Sequence, residues 1–101
     1  MIREKFIYII VNEDNNRFKI GFSKNPLSRL KSLQTGNDGK LTIYYQRKVK
    51  HYSKIESYLK LKFIEYQTIG EWYDHQISFS EIDDIIYKCE KMYKCLNKSY
   101  I

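Results

Sequence analysis

The chain of 101 residues has few of the residue types that build disulfide frameworks, linkers or phosphate-cradling loops. It contains 2 Cys, 1 Pro and 4 Gly. Two cysteines supply neither a disulfide framework nor a four-cysteine zinc site, and isolated glycines do not form a phosphate-cradling loop. So little proline and glycine leaves no linker or low-complexity tract. The composition therefore predicts a single domain over residues 1–101, close to the commonest domain size.

Long hydrophobic runs are also missing. The apolar run near the N-terminus, Phe6 to Val11, has six residues, whereas a transmembrane helix needs about 20. No small-residue cleavage site follows it. Cys89 and Cys95 are expected to lie on nearly opposite faces of a helix, so they are not expected to pair. We therefore expect an intracellular protein, cytoplasmic or nuclear, with reduced thiols and no membrane partner.

Acidic residues are scarce in the first part of the chain. Between Arg17 and Lys62, twelve Lys or Arg stand against two acidic residues, whereas between Phe63 and Glu90 seven acidic residues stand against one Lys. The net charge of the whole chain is +6. A dense positive surface attracts polyanions. The first segment therefore predicts contact with nucleic acid, and the second does not.

Hydrophobic and β-branched patterning predicts three strands and three helices. The strands are Lys5–Val11, Phe18–Phe22 and Leu41–Val49. The short gap between the first two strands predicts an antiparallel hairpin, and Gly70–Tyr73 reads as a turn or short extended piece. The order β-β-α-β-α-α predicts an α+β fold, in which helices flank a small, mostly antiparallel three-stranded sheet. The motif-bearing core would span about 5–75.

Capping signals place the three helices. Asn25 and Pro26 open the first, which has an apolar face of Leu27, Leu30 and Leu33 and ends at Gly36. Ser53-x-x-Glu56 resembles a capping box that opens the second, with Ile55, Tyr58, Leu59 and Phe63 inward. Ser78-x-x-Glu81 opens a C-terminal helix over about 79–97, which is expected to pack on the core or to mediate a homodimer.

Two short blocks on the predicted hairpin suggest a family. FIY ends at Tyr8, and KIG runs from Lys19 to Gly21. They resemble the half-motifs of the GIY-YIG nuclease superfamily, with Lys19 in place of the second tyrosine. Arg29 follows Gly21 by eight residues on the first helix, as the family's arginine does.

Two later blocks extend this resemblance. Glu56 opens an ExxLxxxF run on the second helix, matching the family's metal-binding glutamate, and Gly70–Tyr73 reads GEWY. With NPLSRLKSLQTG and KIG, these blocks are similar to the phage and viral branch of the superfamily. The resemblance implies a viral or phage protein in a host cell.

The resemblance also implies a metal-dependent endonuclease that hydrolyses phosphodiester bonds in DNA. By carry-over, Glu56 would hold one Mg²⁺ or Mn²⁺ ion. Arg29 would grip the scissile phosphate, Tyr8 would orient or deprotonate the attacking water, and Lys19 would stabilise phosphate charge. The basic residues expected to contact the nucleic acid are Lys24, Lys31, Lys54 and Lys60.

Plainer interpretations of the same residues stay open. Tyr8 suits a core strand, Arg29 a solvated helix face and Trp72 a core anchor. Glu56 suits a capping partner of Ser53 or an i,i+4 partner of Lys60.

At the level of the whole protein, two departures from the family pattern, Lys19 and Leu33, favour a catalytically inactive nucleic-acid-binding module. A third alternative is a small interaction protein that uses the acidic, aromatic C-terminal third of the chain.

Overall fold

A computed structural model of the chain describes residues 3–99, and the side chains of residues 3–93. It contains four strands, three α-helices and one short 3₁₀ helix. The strands are β1 (Lys5–Asn12), β2 (Arg17–Ser23), β3 (Leu41–Val49) and β4 (Trp72–Tyr73). The α-helices are α1 (Pro26–Thr35), α2 (Tyr52–Lys62) and α3 (Phe79–Ser99). The 3₁₀ helix spans Ile64–Tyr66.

The strands form one antiparallel sheet in the order β3-β1-β2-β4. The α+β class and the antiparallel hairpin are therefore confirmed, but the prediction of three strands is wrong. The fourth strand comes from Gly70–Tyr73, of which only Trp72 and Tyr73 pair, with Lys19 and Phe18. A two-residue strand is too short to show a periodic pattern in the sequence.

Alternation along β1 sends its side chains into two separate apolar clusters on opposite faces of the sheet. Ile7 and Ile9 join the larger cluster with residues of α2 and α3. Tyr8 and Ile10 join the smaller cluster, in which Leu30 and Leu33 of α1 are partly buried. Helix α1 therefore covers one face, and α2 and α3 cover the other.

The first helix begins as its sequence predicts. The Asn25 side chain accepts a hydrogen bond from the Ser28 N–H at 3.2 Å, and Pro26 occupies the first turn. Gly36 follows the last helical residue. Leu27, however, is 55 % exposed, so the predicted apolar face consists of Leu30 and Leu33 alone.

The capping box predicted for α2 is wrong. The helix begins two residues earlier than the box requires, and His51 is its N-cap without a side-chain hydrogen bond. Ser53 lies inside the helix, where its carbonyl accepts a hydrogen bond from the Ser57 hydroxyl. Tyr58, predicted to face inward, is 41 % exposed. Glu56 is therefore not a capping partner.

A polar cluster and buried isoleucines fix α3 on the sheet. The Ser78 hydroxyl accepts a hydrogen bond from the Glu81 N–H at 3.2 Å, as the capping signal predicts. The Tyr45 hydroxyl and Arg47 Nη1 both donate to Asp83 Oδ1, at 2.8 and 3.0 Å. Asp83 thus ties the helix to β3.

Cys89 is a buried free thiol, and Cys95 lies outside the residues whose side chains are described.

No helix within residues 3–99 is long and apolar enough to cross a membrane.

Candidate functional site

Tyr8 and Gly21 lie opposite each other on the β1–β2 hairpin. Tyr8 is only 3 % exposed, and its ring lies across the neighbouring strand at Gly21. A Cβ atom at position 21 would overlap the phenol ring and its hydroxyl. Glycine is therefore required here so that the tyrosine can lie flat across the hairpin. The two half-motifs thus form one packed unit.

Lys19 lies two residues before Gly21 and opposite Ile10, on the same face of the sheet as Tyr8. Its side chain is 11 % exposed, and its Nζ donates a hydrogen bond to Glu71 Oε2 at 2.7 Å. The same nitrogen lies 6.0 Å from the ring centroid of Trp72. A buried ammonium is costly unless it is paired. Glu71 supplies that pairing.

Glu71 continues this contact into a chain of alternating charges. Its second oxygen, Oε1, lies 3.6 Å from Lys60 Nζ. Lys60 Nζ in turn lies 3.7 Å from Glu56 Oε2. The order Lys19, Glu71, Lys60, Glu56 therefore links β2 with α2 through the residue just before β4. We call these four residues the charge chain.

The two carboxylates of the charge chain have pKa values shifted in opposite directions. Burial raises the pKa of Glu56, an effect that Lys60 partly offsets and Glu71 reinforces. The hydrogen bond from Lys19 lowers the pKa of Glu71, with further lowering from the charges of Lys19 and Lys60. Lys19 thus favours the anionic form of Glu71, whereas burial disfavours the anionic form of Glu56.

The other predicted site residues are not part of the charge chain. Arg29 is exposed on α1, and its guanidinium has no ion pair within residues 3–93. Lys24 and Lys31 are exposed just before and on the same helix. Lys54 lies on α2 with its Nζ 5.4 Å from the Tyr93 ring of α3. The structure thus groups Lys24, Arg29 and Lys31 along α1, apart from Lys54.

The helices on the two faces of the sheet differ in charge. The face covered by α1 carries exposed basic residues and no acidic residue on that helix. On the other face, α3 carries Glu81, Asp83, Asp84 and Glu90 together with Lys88 and Lys91, and α2 carries Lys54, Lys60 and Lys62 together with Glu56. Because α1 is the α-helix without an acidic residue, a polyanion would meet the least repulsion on the α1 side.

The carboxylates of the charge chain offer limited metal-binding capacity. Within the side chains described, no group of three or more His, Cys, Asp or Glu could hold a metal ion. Glu56 is partly buried, with its side chain 21 % exposed, and one of its oxygens faces a cation, the Lys60 ammonium. Mg²⁺ is often held by one or two carboxylates together with waters and substrate phosphates. The donor set thus fits one weakly held hard cation.

Glu71 is the member of the charge chain that the sequence analysis missed as a site residue. Its contact with Lys19 joins residues 52 positions apart, so no local pattern reports it. The signal that could have found it is the GEWY run, in which the only acidic residue is Glu71.

The protein is thus an antiparallel α+β domain with a tyrosine–glycine hairpin and a basic helix beside it. The T5orf172 domain family matches residues 5–90. The chain therefore belongs to the T5orf172 domain family, which is associated with phage and nuclease-like proteins of GIY-YIG-like fold. Comparison with curated proteins and with solved structures finds no match.

Proposed function

We propose that the protein is a metal-dependent endonuclease that hydrolyses phosphodiester bonds in DNA. The observation that carries the proposal is that Glu71 and Lys60 connect Lys19 with Glu56, although these two residues come from separate sequence blocks. Membership of a nuclease-associated family supports it further. So does the resemblance of the KIG and GEWY blocks to the phage and viral branch of the GIY-YIG superfamily.

Glu56 would hold the metal ion, one Mg²⁺ or Mn²⁺. When bound, such an ion supplies Lewis-acid stabilisation of phosphoryl charge and lowers the pKa of a bound water. The burial that raises the Glu56 pKa makes its carboxylate favour a nearby cation. The Lys60 ammonium that now faces Glu56 stands in for such a charge.

The remaining residues would act on the phosphate and the water. The exposed Arg29 guanidinium can donate two parallel hydrogen bonds to phosphate oxygens, a geometry that lysine cannot match. Lys19 adds a fixed positive charge where negative charge builds up during reaction. The Tyr8 hydroxyl, with its ring held by Gly21, would orient the attacking water.

Nicking of supercoiled plasmid DNA by the purified protein tests the proposal. We expect nicking with Mg²⁺ or Mn²⁺ and none with EDTA. Glu56→Gln should abolish nicking, and Arg29→Ala should slow it by about a hundredfold or more. Arg29→Lys keeps the positive charge but cannot donate two parallel hydrogen bonds, so nicking by this variant should also be strongly impaired. Glu65→Gln removes an exposed carboxylate and should leave nicking unchanged.

A nucleic-acid-binding module without catalysis is the second candidate. The observation that favours it is the ion pair of Lys19 with Glu71. The resembling enzymes have a tyrosine at this position, whereas here a lysine paired with a carboxylate occupies it. This candidate predicts salt-sensitive DNA binding without products at any metal concentration.

A further inference from the structure

We infer that Glu71 is the positioning residue of the site, holding Lys19 in the place from which it acts on the phosphate. The inference rests on the proposed function for its catalytic consequence. Lys19 has an ammonium on a side chain that is 11 % exposed, and Glu71 Oε2 is its hydrogen-bond acceptor at 2.7 Å. A phenol at this position would need no counter-charge, whereas an ammonium does.

The segment before β4 holds Glu71 in a fixed place. Gly70 has φ +74, a conformation that favours glycine. The Gly70 carbonyl accepts a hydrogen bond from Gln67 Nε2 at 2.9 Å. The Trp72 carbonyl accepts two more, from the Thr68 N–H at 2.8 Å and the Thr68 hydroxyl at 2.9 Å. Glu71 thus lies between two residues whose carbonyl groups accept hydrogen bonds.

The neighbouring tryptophan fixes Lys19 from the other side. Trp72 pairs with Lys19 across the β2–β4 ladder, and its partly buried ring packs against the cluster that contains Tyr8. In the Gly-Glu-Trp run, the glycine thereby makes the turn, the glutamate provides the counter-charge and the tryptophan provides the packing. All three residues contribute to the placement of Lys19.

Glu71 also contacts the second lysine of the charge chain. Its Oε1 lies 3.6 Å from Lys60 Nζ, which faces Glu56 from 3.7 Å. Glu71 is the residue that contacts both lysines, so it shares Lys60 with Glu56. The Glu71 side chain remains 58 % exposed, so the Glu71 end of the Lys19–Glu71 pair faces the solvent from which a phosphate would approach.

The test measures cleavage of a DNA duplex by the full chain carrying Glu71→Gln, Lys19→Gln or both. Because misplacement of a reacting group by about 1 Å can cost about a hundredfold, Glu71→Gln should lower kcat by about ten- to a hundredfold with KM little changed. In the Lys19→Gln background the same substitution should have almost no further effect. Glu65→Gln is the control of equal charge change and should match the unsubstituted protein.

Two kinetic outcomes would overturn the inference. Equal losses from Glu71→Gln in both backgrounds would mean that Glu71 acts independently of Lys19. A higher metal concentration for half-maximal rate, in place of a lower kcat, would make Glu71 a metal ligand.

A second measurement decides the inference if the unsubstituted protein does not cut DNA, a result that would refute the proposed function. The ammonium resonance of Lys19 in ¹⁵N-labelled protein, assigned by its loss in Lys19→Gln, reports the ion pair directly. We expect a resolved signal that disappears in Glu71→Gln. A signal that Glu71→Gln leaves unchanged would overturn the positioning role.

Discussion

At the scale of the residue, the site depends on close contacts that the sequence reveals unequally. The contact of Tyr8 with Gly21 could be inferred from the two half-motifs, because the short connection between their strands predicts a hairpin that brings them together. The ion pair of Lys19 with Glu71 could not be inferred from the sequence, since ion pairs between distant segments leave no periodic pattern. The i,i+4 contact of Glu56 with Lys60, one of the plainer interpretations of Glu56, is present at 3.7 Å. Whether these residues catalyse remains a prediction.

Gly21→Ala should destabilise the protein, because the new methyl group would overlap the Tyr8 phenol. We expect a loss of about 1–3 kcal/mol in the free energy of unfolding, the usual cost of overpacking, measured by urea denaturation. Gly36→Ala is the matched control, because a Cβ there meets nothing within 4 Å. Equal effects of the two substitutions would contradict the packing of Tyr8 on Gly21.

Glu71 should make a pH-dependent contribution to stability. Its pKa is lower in the folded protein than in the unfolded chain, chiefly because Lys19 donates a hydrogen bond to the carboxylate. The stabilisation is therefore complete above the unfolded pKa of about 4.3 and is lost as pH falls through the folded-state pKa. Since the side chain is 58 % exposed, the effect should be below about 1 kcal/mol.

Urea denaturation of the unsubstituted protein and of Glu71→Gln at pH 7 and pH 3 measures this contribution. The difference between the two proteins should be present at pH 7 and should shrink at pH 3. A difference that grew on acidification would mean that the Lys19–Glu71 pair does not stabilise the fold.

At the scale of the element, long patterned segments were predictable and short ones were not. The three main strands and α1 follow from β-branched runs and from the Asn25-Pro26 start. The two-residue strand β4 is held by its pairing with β2 and by the hydrogen bonds to the Trp72 carbonyl. Its formation therefore depends on tertiary contacts and not on a local pattern. The start of α2 was misplaced because Ser53 and Glu56 have the spacing of a capping box but lie inside the helix.

Asp83→Ala should loosen α3 from the sheet. The substitution removes the acceptor of hydrogen bonds from Tyr45 and Arg47. Because Arg47 and Asp83 are both partly exposed, we expect a loss of only about 1–2 kcal/mol. Asp84→Ala removes a neighbouring carboxylate that pairs with Lys88 on the exposed helix surface, and should cost less than about 0.5 kcal/mol. Thermal or urea unfolding that ranks the two equally would contradict the tie.

At the scale of the whole molecule, the uneven charge along the chain leaves α1 with basic residues and no acidic residue, whereas α2 and α3 carry residues of both signs. The count of basic and acidic residues predicted that the first segment contacts nucleic acid, which stays a prediction. It could not predict which helices cover which face, because that depends on the alternation of β1 side chains between two clusters. It also could not separate Lys54, which lies near Tyr93 of α3, from the lysines along α1.

DNA binding should depend strongly on salt and mainly on the lysines near α1. For each lysine that contacts a phosphate, the slope of log K against log salt should fall in magnitude by about 0.9 when that lysine is replaced. Lys24→Ala and Lys31→Ala should each show this change in fluorescence anisotropy titrations without metal. Lys88→Ala, on α3, where Lys88 pairs with Asp84, should not. An equal change in all three variants would mean that DNA does not select the α1 face.

The account's central claim is that Glu56 serves the cutting of DNA and not the binding of it. The most direct test measures both quantities for the unsubstituted protein and Glu56→Gln on one fluorescent duplex: affinity in EDTA, and the cleavage rate after Mn²⁺ is added. We predict equal or slightly tighter binding by Glu56→Gln, because a negative charge is lost, together with no cleavage. Cleavage at an undiminished rate by Glu56→Gln, or no metal-dependent cleavage by the unsubstituted protein, would contradict the claim.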